Sequence, residues 1–241
     1  DDFSNNPMDR REGDPLVGTA TPIDGRLWSN DMHGDYVFDG EGHVYRQNDA
    51  EVRSVCVATP ELAGQTMRME AKVRFSAGVN PEIAYAVLAA WRPSHLNFTY
   101  VSGLSSDLYL RVRANGLIEL SAMNGAYRSI NVGSIISETG QTPLIVPQDE
   151  FFPIWLSYDP LTNRLSAGVA NELVLLGYPL DEVIVDGVRG YSLTPAFVGL
   201  QLEPNTPDVC ADSFNVNASV VAAPQACRGG NYFSADFNDN C

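Results

Sequence analysis

What most constrains this chain is a series of short β-strand patterns joined by turn signals, with no helical periodicity between them. Residues 67–75, 83–91, 108–114, 117–123, 154–158 and 165–170 are rich in β-branched and aromatic side chains and alternate in the manner of strands. Asn115-Gly116 separates two of these runs, and that pair is the strongest signal for a two-residue hairpin turn. Asp159-Pro160-Leu161-Thr162-Asn163 separates two more; there proline fixes φ, and the Asp and Asn side chains bond nearby backbone. No window of a dozen residues spaces apolar groups at i, i+3, i+4 and i+7, and residues 60–65 predict at most one short helical turn. Parallel sheets need crossover helices, so the strands must run antiparallel. The pattern predicts an all-β fold, an antiparallel β-sandwich over residues 1–221, with 134–152 as a long loop holding one short strand. From Ala222 to Gly230 the chain reads as a linker, and it leads into a polar, cysteine-bearing tail that completes a C-terminal extension, 222–241.

Composition narrows the partners. A hydrophobic share of 44% in 241 residues supports a packed core and excludes wholesale disorder, collagen and coiled coil. Thirty acidic residues stand against fifteen basic ones, a net charge of −15, and Lys72 is the single lysine. Nucleic-acid binding needs a basic surface that displaces phosphate counterions, so no nucleic-acid partner is expected. An anionic membrane surface is disfavoured for the same reason. The longest apolar runs, 83–91 and 172–176, are far shorter than the roughly 20 residues of a spanning helix, so no membrane insertion is expected.

Cys56, Cys210, Cys227 and Cys241 include no CxxC pair; their even number and wide spacing predict disulfides and a secreted, extracellular or cell-surface location. The sequons Asn97-Phe98-Thr99 and Asn217-Ala218-Ser219 point the same way. No basic and apolar leader opens the chain, so numbering is expected to begin at a processed terminus or an engineered boundary. A Cys227–Cys241 bond would close the tail on itself and leave Cys56 and Cys210 as the second pair, although four cysteines permit three connectivities.

Catalytic patterns are sparse. There is no G-x-S-x-G, no GxxxxGK[ST] and no strand-linked GxGxxG. Glu70 is alone on its strand, Glu119 has Leu117 and Ser121 as same-face neighbours, and Asp149 and Glu150 point to opposite sides if extended. His33, His43 and His95 are the only histidines, and two of them lie in Gly- and Asp-rich sequence. No catalytic residue is assigned.

The order of segments resembles the concanavalin A-like (laminin G-like) jelly-roll superfamily, especially its bacterial extracellular and phage-associated modules. The likeness rests on Asp1-Asp2-Phe3, residues 11–19 and Leu27-Trp28 at the start, and on 69–75 as the first long sheet strand. Residues 155–159 with 165–169 resemble the late hairpin, and 211–217 the closing strand that returns beside the first. The resemblance implies a structural Ca²⁺ near that junction, with Asp1, Asp2 and Asp212 as its ligands. It also implies a sugar-facing sheet. Tyr85, Trp91, Tyr100, Tyr109 and Tyr127 fall in the matching strands and loops, where Arg92, Arg111 or Arg113 would bond hydroxyls or a uronate. Trp91-Arg92 is the best single candidate. The E-x-D-x-x-E run of the superfamily's β-glucan hydrolases is missing, and a lyase would need a His, Tyr and Arg or Gln cluster.

The ends of the chain echo one another, as Asp2-Phe3-Ser4-Asn5-Asn6 and Asp236-Phe237-Asn238-Asp239-Asn240. That echo suggests self-association in which residues 232–240 add to a neighbour's sheet. The leading expectation is a non-catalytic extracellular module that binds polysaccharide or glycoprotein glycans or serves adhesion. The second is a structural subunit of a filament, sheath or virion assembled through its tail. The third is a carbohydrate-active enzyme, either a glycoside hydrolase or a polysaccharide lyase.

Overall fold

Alternating side chains become paired strands once each finds a neighbour that buries the same face. A computed structural model describes residues 3, 11–20, 27–30, 36–47, 54–58, 65–91, 108–124, 128–134, 144–180, 184–185, 188–189 and 197–219. Their strands form two seven-stranded antiparallel sheets. The first runs in the order β1 (Ser29–Asn30), β4 (Ser54–Ala58), β15 (Phe197–Glu203), β6 (Tyr85–Trp91), β7 (Leu108–Arg113), β8 (Ile118–Asn124), β9 (Arg128–Ser134). The second runs β12 (Glu172–Pro179), β11 (Arg164–Val169), β10 (Phe152–Asp159), β5 (Thr66–Phe75), β16 (Val209–Ser219), β3 (Val44–Arg46), β2 (Tyr36–Phe38). A separate small ribbon pairs β13 (Ile184–Val185) with β14 (Val188–Arg189). No α-helix occurs among the described residues. The architecture is the expected antiparallel sandwich.

The core lies between the sheets. Met67, Met69, Ala71, Val73 and Phe75 of β5 share it with Ala86, Leu88 and Ala90 of β6. Phe3, Trp28, Phe38 and Phe214 pack edge to face or tilted, with centroids 5.4–6.3 Å apart, which ties the N-terminal segment to the closing strand. The Phe3 N–H also donates to the carbonyl of Asp212 at 2.9 Å. The start of the chain and β16 therefore meet.

A polar staple crosses between the sheets at one end. Arg46, fully buried on β3, donates through Nη2 to Glu203 Oε2 at 2.6 Å. Gln201 Nε2 donates to the Tyr85 hydroxyl at 3.0 Å and to Glu203 Oε1 at 3.4 Å, and the Tyr36 hydroxyl accepts the Leu202 N–H at 3.0 Å. Burial drives the Tyr36 phenol far above its ordinary range, so it stays neutral.

Two sequence expectations need correction. The turn at Asn115-Gly116 is longer than two residues, because β7 ends at Arg113 and β8 begins at Ile118. Gly116 alone takes a positive φ (85°), following a bend closed by its N–H to Arg113 O at 3.0 Å. A Cβ there would also lie 2.0 Å from the Leu144 carbonyl oxygen. Nor are Cys56 and Cys210 bonded to one another: each is buried, Cys56 on β4 of the first sheet and Cys210 on β16 of the second. Neither belongs to the central core. Each shares the outward face of its own strand, so the core separates two thiols that a bond would have to bring within about 7 Å at Cα. Cys227, Cys241 and the whole 222–241 tail lie outside the described residues.

Candidate functional site

Period-two geometry sorts β6 into core-facing Ala86, Leu88 and Ala90 and outward-facing Tyr85, Val87, Ala89 and Trp91. Because both faces are buried, the strand reads as a continuous apolar run. Register then assembles a second cluster on the outward face of the first sheet. Trp91 stands opposite Phe197, Ala89 stands between Gly199 and Tyr109, and Tyr85 stands between Glu203 and Arg113. Cys56, Tyr85, Val87, Ala89, Trp91 and Tyr109 pack there with Phe197. A Cβ on Gly199 would lie 1.9 Å from the Val55 carbonyl oxygen, so glycine is what lets β4 approach.

Of the residues singled out from sequence, Tyr85, Trp91, Tyr109 and Arg111 are thus brought onto one face. Their exposure departs from expectation: Trp91 is 4%, Tyr109 6% and Tyr85 8% exposed. They form a floor below the surface and not open stacking platforms, because cross-strand neighbours pack against one another. Arg92, Tyr100, Tyr127, Asp1, Asp2, His33, His95 and residues 232–240 lie outside the described residues.

Beside the floor runs a charged array. Arg111 Nε and Arg113 Nε both donate to Glu119 Oε2, the second at 3.3 Å, and both guanidinium groups lie over the Tyr85 ring at 5.3 and 5.8 Å. Partial burial works to raise the Glu119 carboxyl, but the Arg111 hydrogen bond and charge, followed by those of Arg113, hold it below the usual carboxylate range. Glu119 is therefore ionised at neutral pH and unsuited to general-acid work. Arg111 and Arg113 share the single carboxylate of Glu119, so the array keeps one net positive charge. Gln201 is the feature that sequence did not single out: it is fully buried on this face, and its Oε1 has no partner among the described residues.

A second grouping sits at the turn between β2 and β3, where Asp39, Glu41 and His43 bring their ligand atoms within 4.8 Å of one another. Asp39 Oδ1 accepts the Glu41 and His43 N–H groups at 2.8 and 3.0 Å, and Oδ2 lies 2.7 Å from His43 Nδ1. Burial opposes ionisation of Asp39, but these contacts outweigh it and hold its carboxyl below the ordinary value. Ca²⁺ takes six to eight hard oxygens. Both Asp39 oxygens are committed to the turn, so this trio does not fit calcium. Asp212, half-buried and joined through its carbonyl to Phe3, is the expected calcium ligand that the structure does describe.

The outward face of the second sheet carries a feature read from sequence only as part of a hairpin. Trp155 lies against Gly168, where a Cβ would meet its Nε1 at 2.3 Å. The Arg68 guanidinium stands 4.1 Å from the indole centroid and pairs with Glu70 at 2.8 Å.

No protein-family model matches the chain, and no curated protein does. Solved structures do. The exoplasmic/lumenal domain of VIP36 in a Ca²⁺- and Man2-bound form superposes with a TM-score of 0.52 at 10% identity, covering 87% of this chain and 88% of that one. The Emp47p carbohydrate recognition domain gives a TM-score of 0.48 at 14% identity, covering 88% and 96%. The botulinum neurotoxin serotype D binding domain gives 0.48 at 10% identity, covering 87% of this chain and 47% of that one. The first of these likenesses establishes a shared sandwich fold.

Proposed function

We propose that this concanavalin A-like jelly roll is a non-catalytic glycan-binding module working in an extracellular or lumenal space. The observation that carries the reading is the outward face of the first sheet. There Tyr85, Trp91, Tyr109 and Phe197 gather apart from the core beside the Arg111–Glu119–Arg113 array. A pyranose has a hydroxyl rim that the fixed donors and acceptors of this array suit, and the buried aromatic floor holds in place the strands that present them. The VIP36 domain, of the same fold, is bound to Ca²⁺ and Man2. The array keeps one net positive charge, from two arginines on one glutamate, but the chain as a whole carries −15, so a neutral sugar suits this protein better than an acidic one. A structural Ca²⁺ held by Asp1, Asp2 and Asp212 belongs to the same proposal, and the bond from Phe3 to the Asp212 carbonyl supports it.

A glycan array probed with the intact protein tests the reading, with and without a calcium chelator. Binding to neutral glycans is expected, weakened at least about tenfold by Trp91→Ala, or roughly 1.4 kcal/mol. Trp91 is buried, so circular dichroism must accompany that variant, and Tyr109→Phe supplies a milder one that removes only a hydroxyl. Absence of glycan binding, or binding that both well-folded variants leave unchanged, would overturn the assignment.

A further inference from the structure

We propose that Asn217 is an N-glycosylation site, and that the glycan it carries lies across the outward face of the second sheet, over Arg68 and against Trp155. The sequence supplies the acceptor pattern, Asn217-Ala218-Ser219, with no proline in the middle. Room for a bulky substituent is a tertiary property, and it is present here. Asn217 is exposed on β16, two residues before the strand ends, and its side chain makes no hydrogen bond among the described residues. Asn215, next along the same face, is exposed as well. Across the ladder Asn217 stands opposite Arg68, and Asn215 opposite Glu70. Arg68 leans away from β16: its Nη2 donates to Glu70 Oε2 at 2.8 Å, and its guanidinium stands 4.1 Å from the indole centroid of Trp155 on β10. That posture leaves the space outside the Asn217 amide open.

The transfer balances simply. Asn217 Nδ2 loses one proton and bonds the anomeric carbon of an oligosaccharide carried on a polyisoprenyl pyrophosphate. The carbon–oxygen bond to that pyrophosphate breaks, and the leaving group keeps the electron pair. The step rests on the extracellular or lumenal reading above, because only a chain that crosses a membrane meets the lipid-linked donor.

From β16 across β5 to β10 is two strand spacings, about 10 Å, so a branched glycan on Asn217 reaches Trp155. Trp155 is the accessible indole of the chain, since Trp28 is 1% and Trp91 4% exposed. Sugar rings offer apolar faces to aromatic carbon and hydroxyls to fixed donors. The Arg68–Trp155 stack supplies an indole edge and guanidinium N–H groups besides the one that Glu70 takes. A glycan seated there closes the outward face of the second sheet to other partners and leaves ligands to the first sheet.

Secretion of the full chain from a eukaryotic cell line, behind an added leader and a terminal tag that carries a reporter sequon, tests the proposal. Peptide mapping by mass spectrometry, before and after peptide-N-glycosidase, reads each site, because the enzyme removes the sugar and leaves aspartate. Asn217 is expected to be glycosylated in most molecules, to remain so in Ser219→Thr, and to lose the sugar in Ser219→Ala. Enzymatic release of the glycan from the folded protein is expected to raise acrylamide quenching of tryptophan emission, and Trp155→Phe to abolish that rise. A modified tag beside a bare Asn217 would overturn the site and leave the extracellular reading standing. A chain whose tag is modified but which never leaves the cell folded would overturn both. Quenching that release of the glycan leaves unchanged would overturn its seat on Trp155.

Discussion

Replacing Arg46 by methionine tests whether the staple between the sheets works through charge. Arg46 is fully buried, and its Nη2 stands 2.6 Å from Glu203 Oε2. Methionine keeps most of the side-chain volume and removes the guanidinium, which leaves a buried carboxylate without that counter-charge. Breaking a buried pair in this way costs about 3–5 kcal/mol. The Glu203 side chain is 10% exposed, so water reaches one edge of it and the lower part of that range applies, about 3–4 kcal/mol. For a domain of this size each kcal/mol moves the melting temperature by roughly 2–4 °C, so a fall of about 6–16 °C is expected. The double variant is the sharper signature. Urea unfolding under reducing conditions at pH 7 is expected to show that Arg46→Met with Glu203→Gln recovers at least half of the loss, because the uncompensated buried charge is then gone. A loss below ~1 kcal/mol, or one unrelieved by the double variant, would mean that Arg46 acts by packing alone.

Three further expectations follow from the same geometry. Because the Glu119 carboxyl is held below its ordinary value of 4.5, its stabilisation is present above that pH and is lost as pH falls through the lowered value. Glu119→Gln should accordingly cost about 1 kcal/mol at pH 7 and almost nothing in strong acid, and equal costs in denaturant titrations at both would sink the assignment. Gly168→Ala puts a Cβ 2.3 Å from Trp155 Nε1 and must swing the indole away from Gly168 and Arg68. A loss of about 1–3 kcal/mol with a changed tryptophan emission is expected, and an unchanged spectrum would refute the contact. Burial pushes the Cys210 thiol up to about 11, and Cys56 is also buried. Peptide mapping after alkylation of the native protein at pH 8 should find both unlabelled and not joined to each other until the fold is opened.

Much of the architecture was legible because strands announce themselves locally. Alternation along 67–75 and 154–158 became β5 and β10 with their expected faces, and the Asp159–Asn163 turn formed on its own side chains, with Asp159 bonding the Leu161 N–H and the Thr162 hydroxyl. The aromatic patch was half legible: spacing put Tyr85 and Trp91 on one face, but only their neighbours on β15 and β7 decided that they would be covered. Glu119 showed Leu117 and Ser121 as companions along its own strand, whereas its chemical partner is Arg111, directly across on β7. Arg46 and Glu203 are 157 residues apart, and nothing local to either announces the other. Gly116 reads as a turn residue, yet its need for space comes from Leu144, which crosses above it. Cys56 and Cys210 were paired by count, and the layers of the sandwich set them on opposite outer faces. By itself the sequence determined that this chain makes antiparallel strands and which side of each strand is apolar, because side-chain direction follows from the two-residue period of extended backbone. Only the tertiary structure decided which strands lie side by side, and with that every pair, floor and staple, because register and layer order are chosen by burying all the apolar faces at once.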